Sequence, residues 1–428
     1  MQKIIIIGVG AQGSTIAKTM NDDPNVSEII CADYDEKAAN DLGAKLDKAT
    51  ALKLDASDIK NVIKASQGMD LIVNGLPLEY NLIIMEAALK VNANYMDMAG
   101  PMVEELGFVG SYELMFSEWD KKFKDKGLTA LIGAGSAPGI ANVLAKESVE
   151  KMDTVESIDI CIYDGIWSKR FTPFWWSPEV AFEDMAYVTF RYEDGKIIKD
   201  KPFSRPIKMK FRGVDEKIRM VDHEHDEPVT MGLLADTVLK GVKNVSFRYG
   251  GPAVELSESL YKMGFLSNEP VDVNGTTIVP MDLTLKLTPP APKYPKEIQE
   301  IIDEGMDMEE GAFLIRVIGT KDTKAIKIDN YVNGPGLQEA FEIAGMSHES
   351  YMTGQCGSVF TKMLANEQFT ESGVFVPEQL HTEARKYFLS EMAKLGITVD
   401  EIVERRLFKM KLRKKNKKKK KNKKKHKK

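Results

Sequence analysis

Six residues near the start of the chain, Gly8-Val9-Gly10-Ala11-Gln12-Gly13, have the types and spacing to hold a diphosphate. The β-branched run Ile4 to Ile7 before them suits a strand covered on both faces, and the segment after them reads as a helix through Met20. In that setting each glycine has a task. Gly8 permits a tight turn, Gly10 lets backbone amides approach a pyrophosphate, and Gly13 lets the helix pack close to the sheet. Ala11 and Gln12 lie in the first helical turn, whose dipole favours anionic oxygen. Asp33 stands at the end of the second strand, where a carboxylate accepts from the adenosine ribose hydroxyls and repels a 2'-phosphate. NAD is therefore the expected cofactor, and Lys37 nearby keeps NADP open. Asp55, after the third strand, is expected to flank the adenine. Asn74-Gly75-Leu76-Pro77 ends the fourth strand, where the backbone must pass close to the nicotinamide half. An ordinary strand-ending turn accounts equally well for any one of these last four.

These residues need a scaffold that presents strand ends along one edge. Expected strands at Glu28 to Ala32, Thr50 to Leu54, Leu71 to Asn74, Asn94 to Met98 and Leu128 to Ile132 alternate with helical segments. This is the rhythm of an α/β protein, with a doubly wound parallel sheet of Rossmann type over residues 1–134. After a helix expected at Asn142 to Lys151 the pattern changes to antiparallel strands. These are Val155 to Tyr163, Ile207 to Phe211, Val245 to Tyr249, and a hairpin of Phe313 to Gly319 with Ala325 to Tyr331. Residues 353–395 read as helical again.

Several later tracts carry a resemblance. They are Asn74-Gly75-Leu76-Pro77 with Asn81, Tyr95-Met96-Asp97, Gly133-Ala134-Gly135-Ser136-Ala137-Pro138-Gly139-Ile140-Ala141-Asn142, Trp176-Ser177-Pro178-Glu179, Tyr351-Met352-Thr353-Gly354-Gln355 and Gly373-Val374-Phe375-Val376-Pro377-Glu378. Together they resemble the saccharopine dehydrogenase family over roughly residues 1–405, in particular members like lysine 6-dehydrogenase and carboxynorspermidine dehydrogenase. The resemblance implies an oxidoreductase acting on a carbon–nitrogen bond of an amino acid, such as lysine or saccharopine, or of a polyamine. It also implies a second, α+β substrate and dimerisation domain near 135–334, helices of 335–405 returning to the Rossmann domain, and a homodimer.

Such chemistry needs groups that manage protons and hold the substrate. Asp97 and Tyr95 share one face of the fifth strand and are the expected proton-handling pair; the competing reading is a buried pair that only shapes the site. Pro138-Gly139 opens a helix whose amides could seat a carboxylate, or is simply a hinge between domains. Arg170 could pair with a substrate carboxylate, and Trp176, in a tract with Trp167 and Trp175, could line a pocket for an alkylammonium or serve packing alone. His223-Glu224-His225 looks like a metal pair at first sight, but no cysteine or further histidine clusters with it, so no metal is expected. The rival functional class is a catalytically silent dinucleotide-binding regulatory or scaffold protein.

Composition bounds these readings. The chain has 428 residues, 43% apolar and 29% charged, with no apolar stretch long enough for a membrane span, so no membrane partner is expected. Its three cysteines, Cys31, Cys161 and Cys356, are odd in number and far apart, which fits a reducing compartment; the expected location is the cytoplasm. Residues 409–428 hold 15 of the 59 Lys and Arg and none of the 64 acids. That tail is expected to be disordered, and without interleaved aromatics it predicts no specific nucleic-acid partner.

Overall fold

The computed structural model describes residues 1–405; the basic tail lies outside the described residues. The N-terminal sheet contains β1 (Gln2–Ile7), β2 (Val26–Asp33), β3 (Ala49–Lys53), β4 (Leu71–Asn74), β5 (Asn94–Asp97) and β6 (Thr129–Leu131). All pairings are parallel, and Ile4 to Ile7 are buried, as a strand with helices on both faces requires.

The second sheet is built on β7 (Thr154–Ser168), β8 (Thr189–Glu193), β9 (Lys196–Asp200), β10 (Ile207–Lys210), β11 (Lys217–Asp222) and β12 (Asn244–Gly250). A small hairpin, β13 (Val271–Val273) and β14 (Thr276–Ile278), stands apart. Then come β15 (Met306–Lys321), β16 (Lys324–Asn333), β17 (Gly373–Phe375) and β18 (Thr398–Arg405). The path of the large sheet is β10-β11-β12-β7-β15-β16-β18, with β8 paired to β12 and β9.

Three features depart from the expected pattern. First, β12 runs parallel to β7, pairing Asn244 to Gly250 with Ser157 to Tyr163, so the sheet is mixed and not purely antiparallel. The long connection between them, through helices and two further hairpins, allows the crossover that a parallel pair needs. Second, the segment read as helical contains β17, which extends the first sheet to the order β17-β6-β5-β4-β1-β2-β3. Three residues have no period to read, and only the open edge of β6 makes them a strand. Third, the mostly exposed, acidic β18 completes the second sheet on β16.

The helix His348–Ala365 ties the two sheets together. It packs on the helix Ala11–Asp22 through Gly354, where an added Cβ would sit 3.0 Å from Thr15 Cβ. Its Thr361 hydroxyl meets Met96 Sδ at 3.2 Å, and Gly357 lies against Met98. The helix thus runs down β5, and its first turn, His348 and Glu349, projects past the C-terminal edge of the parallel sheet.

Candidate functional site

The glycine turn is closed by sterics. Gly8 has φ +90°, a Cβ on Gly13 would lie 2.0 Å from Gly8 O, and one on Gly75 would lie 2.6 Å from the same oxygen. The turn after β1 and the end of β4 therefore touch, and no side chain fits between them. Gly10 is the opposite case, exposed and with nothing within 4 Å of an added Cβ. The helix that begins at Ala11 has no side-chain cap, so the amides around Gly10, Ala11 and Gln12 face an open shelf. Asp33 receives Val9 N–H at 2.8 Å and Asp35 N–H at 2.9 Å, which fixes its carboxylate at the tip of β2. Lys37 is drawn off to Asp41 at 2.6 Å. Asp55 is exposed, and Ser57 holds its carboxyl below the usual carboxylate range. Pro77 is exposed and Leu76 partly so, on the same edge. These residues fit a dinucleotide: bare amides would meet its diphosphate, and a fixed carboxylate would meet its ribose.

Beneath the shelf lies a closed polar network. Tyr95 Oη donates to Asp97 Oδ2 at 2.9 Å, and Gly133 N–H donates to Asp97 Oδ1 at 2.7 Å. Asn74 Nδ2 donates to Tyr95 Oη at 3.1 Å and to Asn81 Oδ1 at 2.7 Å, while Asn74 Oδ1 accepts from Leu76 N–H at 3.1 Å. Asp97 is 2% exposed, and burial pushes its carboxyl up to about 8 against the pull of Gly133 and Tyr95. Tyr95 and Asp97 do share one face, and each oxygen of Asp97 already accepts one hydrogen bond from the protein.

Two acidic groupings flank this floor. On one side, Asp184, Glu224 and Asp226 gather around His225 near the end of β5; an added Cβ on Gly100 would lie 3.0 Å from Asp226 Oδ1. Withdrawal from water raises all three carboxyls, Asp184 to about 7. Burial lowers His225, but Glu227, 2.5 Å away, and the neighbouring acids outweigh it and lift the imidazole to about 9. Tyr112 hydrogen-bonds to Asp226, and Glu378, raised by burial to about 7, accepts from Asn142 Nδ2 at 2.8 Å. On the other side a cavity of about 460 Å³ opens between Ser136, β7, β15 and the start of the His348–Ala365 helix. Asp164, Glu309, Glu310 and Glu349 line it.

The remaining expected residues fall elsewhere. Pro138 and Gly139 are buried, and the helix start is satisfied from within: Gly139 N–H by Asn142 Oδ1 at 2.9 Å, Ile140 N–H by Gly135 O and Ala141 N–H by Ser136 O. The amides expected to meet a carboxylate are thus already used, and Ser136 and Ala137 face outward instead. Arg170 forms a surface pair with Glu304 through Nε at 2.9 Å and lies outside the cavity lining. Trp176 packs on Phe174 and Tyr249, while Trp175 meets the ring of His348 at 5.9 Å. His223 is buried neutral, lowered to about 3 mainly by burial. Sequence reasoning missed Asp184, Asp226, Asp164, His348 and Glu349. The one available signal was the run His223-Glu224-His225-Asp226-Glu227, five titratable residues in succession.

A seven-stranded parallel sheet with this shelf, joined to a mixed-sheet domain that meets the shelf's edge, defines a two-domain dinucleotide-binding oxidoreductase. The chain belongs to the saccharopine dehydrogenase family: residues 4–131 match its NADP binding domain and residues 135–397 its C-terminal domain. It is 24% identical to carboxyaminopropylagmatine dehydrogenase of Synechocystis over 94% of this chain and 98% of the relative. It is also 24% identical to carboxynorspermidine synthase of Vibrio alginolyticus over 84% of each. In structure it is similar to apo saccharopine dehydrogenase (L-Glu forming) of Saccharomyces cerevisiae, with TM-score 0.66, 13% identity and coverage of 94% and 100% of the two chains. Homospermidine synthase of Legionella pneumophila, solved with NAD, gives TM-score 0.63 and 13% identity, covering 94% of this chain and 91% of that one. Among the described residues, no helix is long and apolar enough to cross a membrane.

Proposed function

We propose that this chain is an NAD-preferring oxidoreductase that makes or breaks a carbon–nitrogen bond of a polyamine-like amine, in preference to lysine or saccharopine. The observation that carries the reading is the gathering of Asp184, Glu224 and Asp226 around His225, with Asp226 beside Gly100 after β5. The names of the two sequence relatives, both polyamine-related, agree with it. The preference for NAD rests on Asp33, fixed by two backbone amides at the tip of β2.

When bound, the nicotinamide accepts or donates the hydride at the carbon bearing nitrogen. The shelf of Gly8, Gly10, Ala11, Gln12, Gly13 and Gly75 holds the diphosphate and fixes the ring's approach. Asp226, oriented by Tyr112, holds the reacting amine. An ammonium has no lone pair to assist departure of hydride, so the amine must lose a proton before oxidation. Asp184, whose carboxyl takes protons near pH 7, receives it. Asp97 and Tyr95 are positioning residues: they tie the end of β5 to Gly133, Asn74 and Asn81 and so set the height of the floor.

The test is NADH formation, followed by absorbance, with diamines, N-carboxyalkyl polyamines, lysine and saccharopine supplied in turn, and the reverse reductive direction with aldehyde plus amine. We expect turnover with the polyamine-type compounds. If no amine supports cofactor-dependent turnover in either direction, the reading fails.

A further inference from the structure

The cavity beside Ser136 is unlike the rest of the sheet edge. Among its lining residues are four carboxylates, Asp164, Glu309, Glu310 and Glu349, and no lysine or arginine. His348 is the only basic group there, with Nε2 3.8 Å from both Asp164 Oδ1 and Glu349 Oε1. Burial opposes its protonation, but Asp164, Glu349 and Glu309 outweigh that and raise its affinity for a proton. Both ring nitrogens are buried without a hydrogen-bond partner. Buried polar atoms of this kind call for a ligand or an ion to complete them.

We infer that this cavity is the subsite for the non-reacting, cationic end of the substrate, and that the ligand it takes is an alkylammonium. The inference rests on the amine-oxidoreductase reading above and narrows it. An ammonium carries three donors and no acceptor. Asp164 from β7 and Glu349 from one helix start offer acceptors that converge on the cavity, and the buried nitrogens of His348 between them add a third once an entering cation displaces its proton. Glu309 and Glu310 are already anchored, the first by Gln338 Nε2 at 2.7 Å and the second by Tyr163 Oη at 2.5 Å, so they contribute fixed negative field. A substrate ending in an α-amino acid, as lysine and saccharopine do, would bring a carboxylate among four others with no lysine or arginine to receive it. That arrangement discriminates against such an end by repulsion. Ser136 follows β6 and the His348 turn overhangs β5, so the cavity opens on the same sheet edge as the cofactor shelf. A substrate can then reach from one to the other.

Binding and turnover are measured separately. Calorimetry on the full chain with saturating NAD uses 1,3-diaminopropane, putrescine and spermidine, with valerate, which lacks the ammonium, as the carboxylate-ended control. We expect the amines to bind and valerate not to. Glu349→Gln and Asp164→Asn, each verified as folded by its melting curve, should weaken amine binding about thirtyfold or more while leaving NAD affinity unchanged. Amine binding with this pattern but no NADH from any amine would sink the proposed reaction and leave the subsite standing. Turnover of an amine with KM unaltered by either substitution would sink the subsite and leave the reaction standing. Stoichiometric Co²⁺ binding that His348→Ala abolishes and diamines do not displace would also overturn the proposal, making Asp164, His348 and Glu349 a metal site. Should both acid variants fail to fold, competition between wild-type amine binding and salt decides: affinity for the diamines unmoved by ionic strength would reject a charge-selected pocket.

Discussion

The cofactor shelf and the acidic side of the cleft meet at one sheet edge and are built by opposite means. The shelf is local: Gly8 to Gly13 and Asp33 lie within the first two strands, and what they supply is mostly missing side chains and bare amides. The acidic side is assembled from afar. Asp184, the 224–227 run, Asp164, Glu310, His348 and Glu378 come from separate elements, and their chemistry depends on charge held out of water. A diphosphate is recognised by backbone geometry that a short sequence can specify. An amine, on the reading proposed above, would be recognised by carboxylates whose affinity and orientation exist only when distant segments converge.

The sharpest way to separate the two regions is Gly13→Ala. Its Cβ would strike Gly8 O, which is backbone and cannot yield, so NAD affinity should fall by about a hundredfold or more, with diamine binding in the acidic cavity retained. Loss of both together in a folded variant would mean the regions are not independent. On the other side, Asp226→Asn should lower turnover by about a hundredfold, within the range for proton-managing groups, with NAD dissociation unchanged by calorimetry. A near-normal rate would remove Asp226 from the site.

A smaller effect is expected at Asp33. Asp33→Gly removes the repulsion of a 2'-phosphate and should narrow the ratio of NAD to NADP efficiency by about tenfold. A wild-type enzyme that already prefers NADP tenfold would reverse the assignment.

The smallest kinetic effect is predicted for Asp97→Asn, because the carboxyl is enclosed and acts through the floor: turnover should stay within about tenfold of wild type. Its signature is instead in stability. A carboxyl raised to about 8 in the folded chain favours folding while protonated in the native state. That contribution is complete below the unfolded value near 4 and is lost as pH rises to about 8. Wild-type melting temperature should therefore fall more than that of Asp97→Asn between pH 5 and 8. A hundredfold loss of turnover with identical pH profiles of melting would restore Asp97 as a group acting on the substrate.

Much of the first region was written in the sequence. Ile4 to Ile7, the glycine turn, Asp33 and the five following strands all follow from short-range rules, because a buried parallel strand and a phosphate turn leave strong local patterns. In the second region the cores of β7 and β15 were legible as apolar runs, yet the cavity is lined where each strand extends beyond its apolar part. Asp164 sits in the extension of β7 to Ser168, and Glu309 and Glu310 sit in the extension of β15 back to Met306. Polar residues there carry no period; pairing with each other makes them strand.

By itself, then, the sequence determined the glycine turn, the positions of the first six strands along the chain and the family. Only the tertiary structure decided that β12 lies parallel to β7, that Gly373 to Phe375 extends the first sheet, and that Asp97 is enclosed between Gly133 and Tyr95. It also decided which acids stand together. The reason is physical: a backbone turn is fixed by the conformational limits of residues in sequence, whereas the charge state of a carboxylate is fixed by whatever distant surface removes its water.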